Sequence, residues 1–183
     1  MVRAWYHDGA DNEHQSEPHM LYPGQYLTLQ ELIKETGIEY FQFEADTIDS
    51  NSEYAKLREA RGYKNEDRLE INREKLPNYD EKMKMFYAEH IHADEEIRFI
   101  CEGSGYFDLR SRNDKWIRIE VVKDDLVIVP AGTYHRFTLD SSEYIKVRRL
   151  FTDEPAWTPI KRPEADSHPT RIKYLQDMGV VTY

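Results

Sequence analysis

His90-Ile91-His92-Ala93-Asp94-Glu95-Glu96-Ile97-Arg98-Phe99-Ile100 is the stretch on which the fold turns. In an extended strand alternate side chains share a face. Even positions then put His90, His92, Asp94, Glu96 and Arg98 on one side, and odd positions put Ile91, Ala93, Ile97 and Phe99 on the other, interrupted by Glu95. The plain alternative is an edge strand whose polar face meets water. Imidazole nitrogens and carboxylate oxygens at alternate positions can instead converge on one ion of the Fe, Ni, Mn, Co or Zn kind rather than Ca or Mg. Alternation excludes Glu95 from such a set but leaves Asp94 and Glu96 both eligible. A longer Glu96 side chain reaches back toward the imidazoles if the strand curves, with Asp94 then orienting a ligand ring from behind.

A further donor has to come from elsewhere, and His135 is the candidate. Its setting, Asp125-Leu-Val-Ile-Val-Pro130-Ala-Gly132-Thr-Tyr-His135-Arg-Phe137, reads as a buried strand, a Pro-Ala-Gly turn and the start of a second strand, with His135 and Phe137 on one face. Alone, a histidine after a turn is usually a hydrogen-bonded structural group; beside the first segment it reads as a ligand. His7, His14, His19 and His168 lie in loop-like sequence without ligand spacing and are expected at the surface. Cys101 has the opposite parity to the ligands and is expected to be packed.

Working outward, residues 90–151 form short β-like runs broken by Gly103, Gly105, Asn113-Asp114, Asp124-Asp125 and Pro130-Ala131-Gly132, a spacing that predicts an antiparallel sandwich or barrel. Upstream, Thr28-Leu-Gln-Glu31 is a capping-box pattern and Gly37 a stop, predicting a helix over 29–36. A strand is expected from Ile38 to Phe43 and a second helix from Ser52 to about Arg61, ended by Gly62. Tyr79, Met83, Phe86 and Tyr87 recur at helical spacing just before His90. From Thr152 onward Pro155, Pro159 and Pro163 predict an extended tail without a regular helix. The chain reads as one domain, with residues 1–80 an N-terminal α/β decoration, 81–151 the metal-binding barrel core and 152–183 the tail.

Composition narrows the function. At 183 residues the chain can bury a sizeable core without disulfides. A formal charge of −10, from 25 basic and 35 acidic side chains, argues against a nucleic-acid partner. One cysteine and no signal-type or membrane-spanning apolar run point to a reducing compartment, the cytoplasm, with the nucleus also open to it, and to no membrane partner. A monomer acting on a small molecule is the expectation.

The two segments resemble the cupin signatures, His90-x-His92-x3-Glu96-x6-Gly103 and Pro130-x-Gly132-x2-His135, with Asp124 where the second signature usually opens with Gly. Residues 90–98, Glu102-Gly-Ser-Gly-Tyr-Phe-Asp108, Trp116-Ile-Arg118, 130–138, Arg149-Leu-Phe151 and Glu154-Pro-Ala-Trp157 resemble acireductone dioxygenase, and Trp5-Tyr-His-Asp8 and residues 62–67 its eukaryotic branch. The resemblance implies a mainly β fold, a cupin-type antiparallel β-barrel (jelly roll) with a few flanking helices. It also implies a role in methionine salvage, in which an acireductone, 1,2-dihydroxy-3-keto-5-methylthiopentene, reacts with O2. The products would be 4-methylthio-2-oxobutanoate and formate with Fe(II), or 3-methylthiopropanoate, formate and carbon monoxide with Ni(II). It places one Fe(II) or Ni(II) on His90, His92, Glu96 and His135, makes Arg98 a catalytic, substrate-binding residue, and sets Phe86 and Phe137 around the substrate. Arg98 could instead simply pair with Asp94 or Glu96. The rival functions are a non-catalytic metal-binding cupin acting as a sensor and a sugar-phosphate isomerase, the latter disfavoured by the acidic balance.

Overall fold

The computed structural model describes residues 2–10, 14–153 and 158–180. In chain order β1 (Arg3–Tyr6), α1 (Leu29–Thr36), β2 (Glu39–Gln42), α2 (Ser52–Arg61), β3 (Asn65–Ile71) and α3 (Tyr79–Tyr87) lead into a run of strands. These are β4 (His90–Ile91), β5 (Glu96–Arg110), β6 (Trp116–Val122), β7 (Asp125–Val129), β8 (His135–Leu139), β9 (Ile145–Phe151) and β10 (Ile160–Lys161), followed by α4 (Pro169–Asp177).

The early helices form where their caps dictate. The Thr28 hydroxyl accepts the Glu31 N–H at 3.2 Å while the Glu31 carboxylate accepts the Thr28 N–H at 2.8 Å, and Gly37 at φ 73° closes α1. Asn51 caps α2 through the N–H groups of Glu53 and Tyr54, and Gly62 ends it at φ 69°.

β5 joins the two layers of the barrel. Residues 96–103 run between β7 and β9 in a sheet ordered β2-β7-β5-β9-β3, and residues 104–110 between β6 and β8 in a sheet ordered β1-β6-β5-β8-β4-β10. All these pairings are antiparallel. The switch is made at a register irregularity between Ile100 and Glu102 and at Gly103, which sits at φ 75° where a Cβ would lie 2.2 Å from the Tyr144 carbonyl oxygen. Inward side chains of both sheets, among them Ile71, Ile100, Leu109, Ile119, Val127, Leu139 and Ile145, make the main core. The opposite face of the β2-β7-β5-β9-β3 sheet, with Ile97, Phe99, Leu126 and Ile128, is covered by Ile48, Tyr54 and Tyr63. Cys101 packs against that cluster, half-buried. The architecture is the mainly antiparallel β-barrel with flanking helices predicted from the strand spacing.

Four expectations need correction. The stretch from His90 to Ile100 is two strands, because residues 93–95 form an exposed bend between β4 and β5. Asp94 is exposed in that bend and orients no ligand ring; backbone carbonyls do so instead. The C-terminal segment is not an extended tail: its prolines cluster before residue 164, and Pro169 stands at the first helical position of α4, where its missing N–H costs nothing. Of the four histidines expected at the surface, His7 is 5% exposed, while His168 caps α4 by accepting the Thr170 N–H at 3.2 Å. Residues 154–157, including Pro155 and Trp157, lie outside the described residues.

Candidate metal centre

Three separate backbone devices bring the predicted donors together. The β4–β8 pairing sets His90 directly across from His135. His92 is held one step beyond β4 because its carbonyl accepts the Gly132 N–H at 3.0 Å. Glu96 opens β5 opposite Val129. One donor atom from each of His90, His92, Glu96 and His135 lies within 4.8 Å of the others. Glu95, at the end of the bend, points elsewhere and accepts the Tyr63 hydroxyl at 3.0 Å.

The hydrogen bonding around the rings leaves lone pairs facing one another. His90 Nδ1 lies 2.6 Å from the Ala88 carbonyl and His135 Nδ1 2.8 Å from the Thr133 carbonyl, so each Nδ1 carries the proton and each Nε2 is bare. The Nε2 atoms of His90 and His92 are 3.2 Å apart, and a Glu96 oxygen lies 3.0 Å from His135 Nε2 and 3.3 Å from His92 Nε2. Acceptors gathered at this spacing repel unless a cation or proton sits among them. A ring whose far nitrogen donates to a carbonyl is also the usual second contact of a metal-bound histidine. Burial, with His135 adding to it, pushes His90 down to about 4, so the ring stays neutral and able to ligate. Burial alone would raise the Glu96 carboxyl; Arg98 and His135 beside it overcome this and hold it well below its usual range. The residues present fit one divalent transition ion with a three-nitrogen, one-oxygen set.

The donors share the wall of a cavity of about 340 Å3 with Leu69, Ile71, Leu76, Phe86, Phe107, Phe137 and Val147. Phe86 and Phe137 are both there, their centroids 6.5 Å apart edge to face, and Phe137 also packs on Phe107 at 5.0 Å. Arg98 lines the same cavity and pairs with Glu96, with Nη2 3.3 Å from Glu96 Oε1. Sequence reasoning assigned no role to Arg149, which also lines the cavity while held by Asp67 at 2.6 and 2.7 Å. On β9, directly opposite Arg98, it shares that residue's face, a pairing that only the folded sheet supplies.

Comparison with known proteins accords with this geometry. The ARD/ARD' family profile matches residues 3–159. The chain is 51% identical to an acireductone dioxygenase of Ixodes scapularis, with 97% of each chain aligned. It is 52% identical to that of Branchiostoma floridae, over 98% of this chain and 99% of the relative. Among solved structures it resembles the Bacillus anthracis acireductone dioxygenase with a cadmium ion in its active center, at TM-score 0.68 and 23% identity, covering 87% of this chain and 98% of that one. At that identity the structural likeness bears on the fold, and the sequence relatives carry the family: the chain belongs to the ARD/ARD' family, whose members compared here are acireductone dioxygenases.

Proposed function

We propose that this dioxygenase cleaves 1,2-dihydroxy-3-keto-5-methylthiopentene with O2 at a single Fe(II) or Ni(II) held by His90, His92, Glu96 and His135. The observation that carries the proposal is the convergence of four donor atoms, from two distant chain segments, in the wall of an otherwise largely apolar cavity. His90, His92, Glu96 and His135 would hold the ion, which would supply a Lewis-acidic anchor for the enediolate oxygens.

The remaining work falls to this chain's own residues. The Ala88 and Thr133 carbonyls fix the rings of His90 and His135, so the donor set is organised before substrate arrives. Arg98, already beside Glu96, offers a guanidinium to a substrate oxygen and stabilises negative charge developing there. Phe86, Phe137 and the aliphatic wall accept the methylthio end and displace water from the reacting atoms.

Products follow the loaded metal in this proposal. Fe(II) protein is expected to give 4-methylthio-2-oxobutanoate and formate, and Ni(II) protein 3-methylthiopropanoate, formate and carbon monoxide. Product analysis under air on separately reconstituted samples tests this; one product set from both metals would refute the metal-directed outcome.

A further inference from the structure

A second cluster of donors lies outside the cavity, where the end of β1 meets the loop before α1. His7 and Met20 form an isolated antiparallel bridge, and the Asp8 N–H reaches the His19 carbonyl at 2.9 Å, so two chain segments are laced together here. One donor atom from each of His7, Asp8 and His19 lies within 4.8 Å of the others. The rings of His7 and His19 stack at 4.9 Å.

Hydrogen-bond bookkeeping shows what the cluster lacks. His19 Nε2 is 2.7 Å from the His14 carbonyl, which places the proton of a neutral ring on Nε2. His19 Nδ1 then turns a lone pair toward Asp8 Oδ2, 3.2 Å away. His7 Nδ1 accepts the Gly9 N–H at 2.9 Å and so also carries a lone pair, 3.6 Å from Asp8 Oδ1. Burial pushes His7 down to about 4, which keeps that ring neutral. The His7 side chain is fully buried, which fixes the direction in which Nδ1 points toward Asp8. Asp8 Oδ1 also accepts the Ala10 N–H at 2.8 Å, fixing the carboxylate in place. The His19 arrangement, far nitrogen on a carbonyl and near nitrogen on a carboxylate, repeats the pattern of the main centre.

We propose that His7, Asp8 and His19 form a second metal site, taking a borderline transition dication of the Zn(II) kind. Two imidazole nitrogens and one carboxylate oxygen suit such an ion, and the exposed side of Asp8 leaves water to complete the shell. The Gly9 amide is the group the ion displaces from His7 Nδ1. Gly9 sits at φ 79° with open space around it, so it can turn that amide away. Occupancy would pin the segment before α1 to β1 at a place separate from the catalytic cavity. The site stands whether or not the main centre turns over acireductone.

Zn(II) titration of metal-stripped protein by calorimetry, with far-UV circular dichroism checking the fold, tests the proposal. Wild type is expected to take up two equivalents, and a variant with both His90→Ala and His92→Ala one. Adding His19→Gln or, at the more exposed ligand, Asp8→Asn to that variant should remove the remaining equivalent and with it the Zn(II)-induced rise in Tm. A single equivalent in wild type that disappears with His90→Ala and His92→Ala overturns the second site, as does uptake unchanged by Asp8→Asn. Loss of the main equivalent alone would count against the catalytic centre and leave the second site standing.

Discussion

Glu96 meets three groups at once: Oε2 faces the His92 and His135 imidazoles and Oε1 faces Arg98. Strand alternation narrowed the carboxylate to Asp94 or Glu96 and could not choose. The choice is made by the bend at residues 93–95, which turns Asp94 to solvent and restarts the strand with Glu96 inward. The bend falls at Ala93-Asp94-Glu95, residue types that strands disfavour, but which of the two acids it turns inward is set by tertiary pairing. Glu96→Ala is therefore expected to weaken Ni(II) binding by about 100-fold or more, beyond the usual effect of losing an outer partner. Glu95→Ala, which loses only the Tyr63 contact and a distant Arg61, should leave affinity unchanged in the same calorimetric titration. Arg98→Ala is expected to retain metal while kcat/KM for acireductone falls about 100- to 1000-fold, the scale of one lost charge-stabilising donor. An unchanged kcat/KM would remove Arg98 from the chemistry.

Among the elements, those announced by local chemistry were legible: α1 through its capping box, α2 through Asn51 and Gly62, and the strands around Pro130 and Gly132 through their turn residues. β3 was not, because Asn65-Glu-Asp-Arg-Leu-Glu-Ile71 is mostly charged and lacks clean alternation; its strand exists through its full-length pairing with β9. α4 was hidden behind prolines that precede it. Its placement matters to the centre, since the Arg171 Nη1 donates to the Gly132 carbonyl at 3.1 Å, and a Cβ on Gly132 would lie 2.4 Å from the Thr170 carbonyl oxygen. Gly132 also sits at φ 80° and donates to the His92 carbonyl, so one turn ties α4 to two ligands. Gly132→Ala is expected to cost about 1–3 kcal/mol in chemical denaturation and to weaken metal binding together with stability. At the opening of the same signature the usual glycine is replaced by Asp124, and the backbone still takes φ 80° there while the side chain accepts the Ala45 N–H at 2.7 Å. The departure from the pattern thus keeps the turn and adds a contact.

Over the whole molecule, one buried network ties three neighbouring strands to the N-terminal segment and to α3. Asp108 accepts from Arg118 at 2.7 and 2.8 Å and from Arg136 at 2.8 Å, and Arg118 also reaches the Gln15 carbonyl and the Tyr87 hydroxyl at the end of α3. Burial alone would raise the Asp108 carboxyl, but the two guanidinium groups hold it below its ordinary value. With the folded value depressed, its contribution to stability is complete above the unfolded carboxylate value of about 3.9 and is lost as pH falls through the folded one. Tm measured between pH 6 and 3 should therefore drop at the acid end. Asp108→Asn should cost about 3–5 kcal/mol at neutral pH by leaving two buried cations with less compensation, and should show a shallower acid slope. The strand pattern and the two histidine-bearing segments were readable from local spacing, whereas the preference for Glu96 over Asp94 also drew on the family resemblance. The cavity wall was not, since Leu69, Ile71, Leu76 and Arg149 meet only when β3 and β9 close over β5. What joins fold to function is the claim that these four donors hold the reactive ion inside that cavity. Oxygen uptake on mixing acireductone with Fe(II)-reconstituted protein tests it most directly: rapid consumption by wild type and almost none by Glu96→Ala at the same iron concentration is the expected result, and equal rates from the two proteins would contradict it.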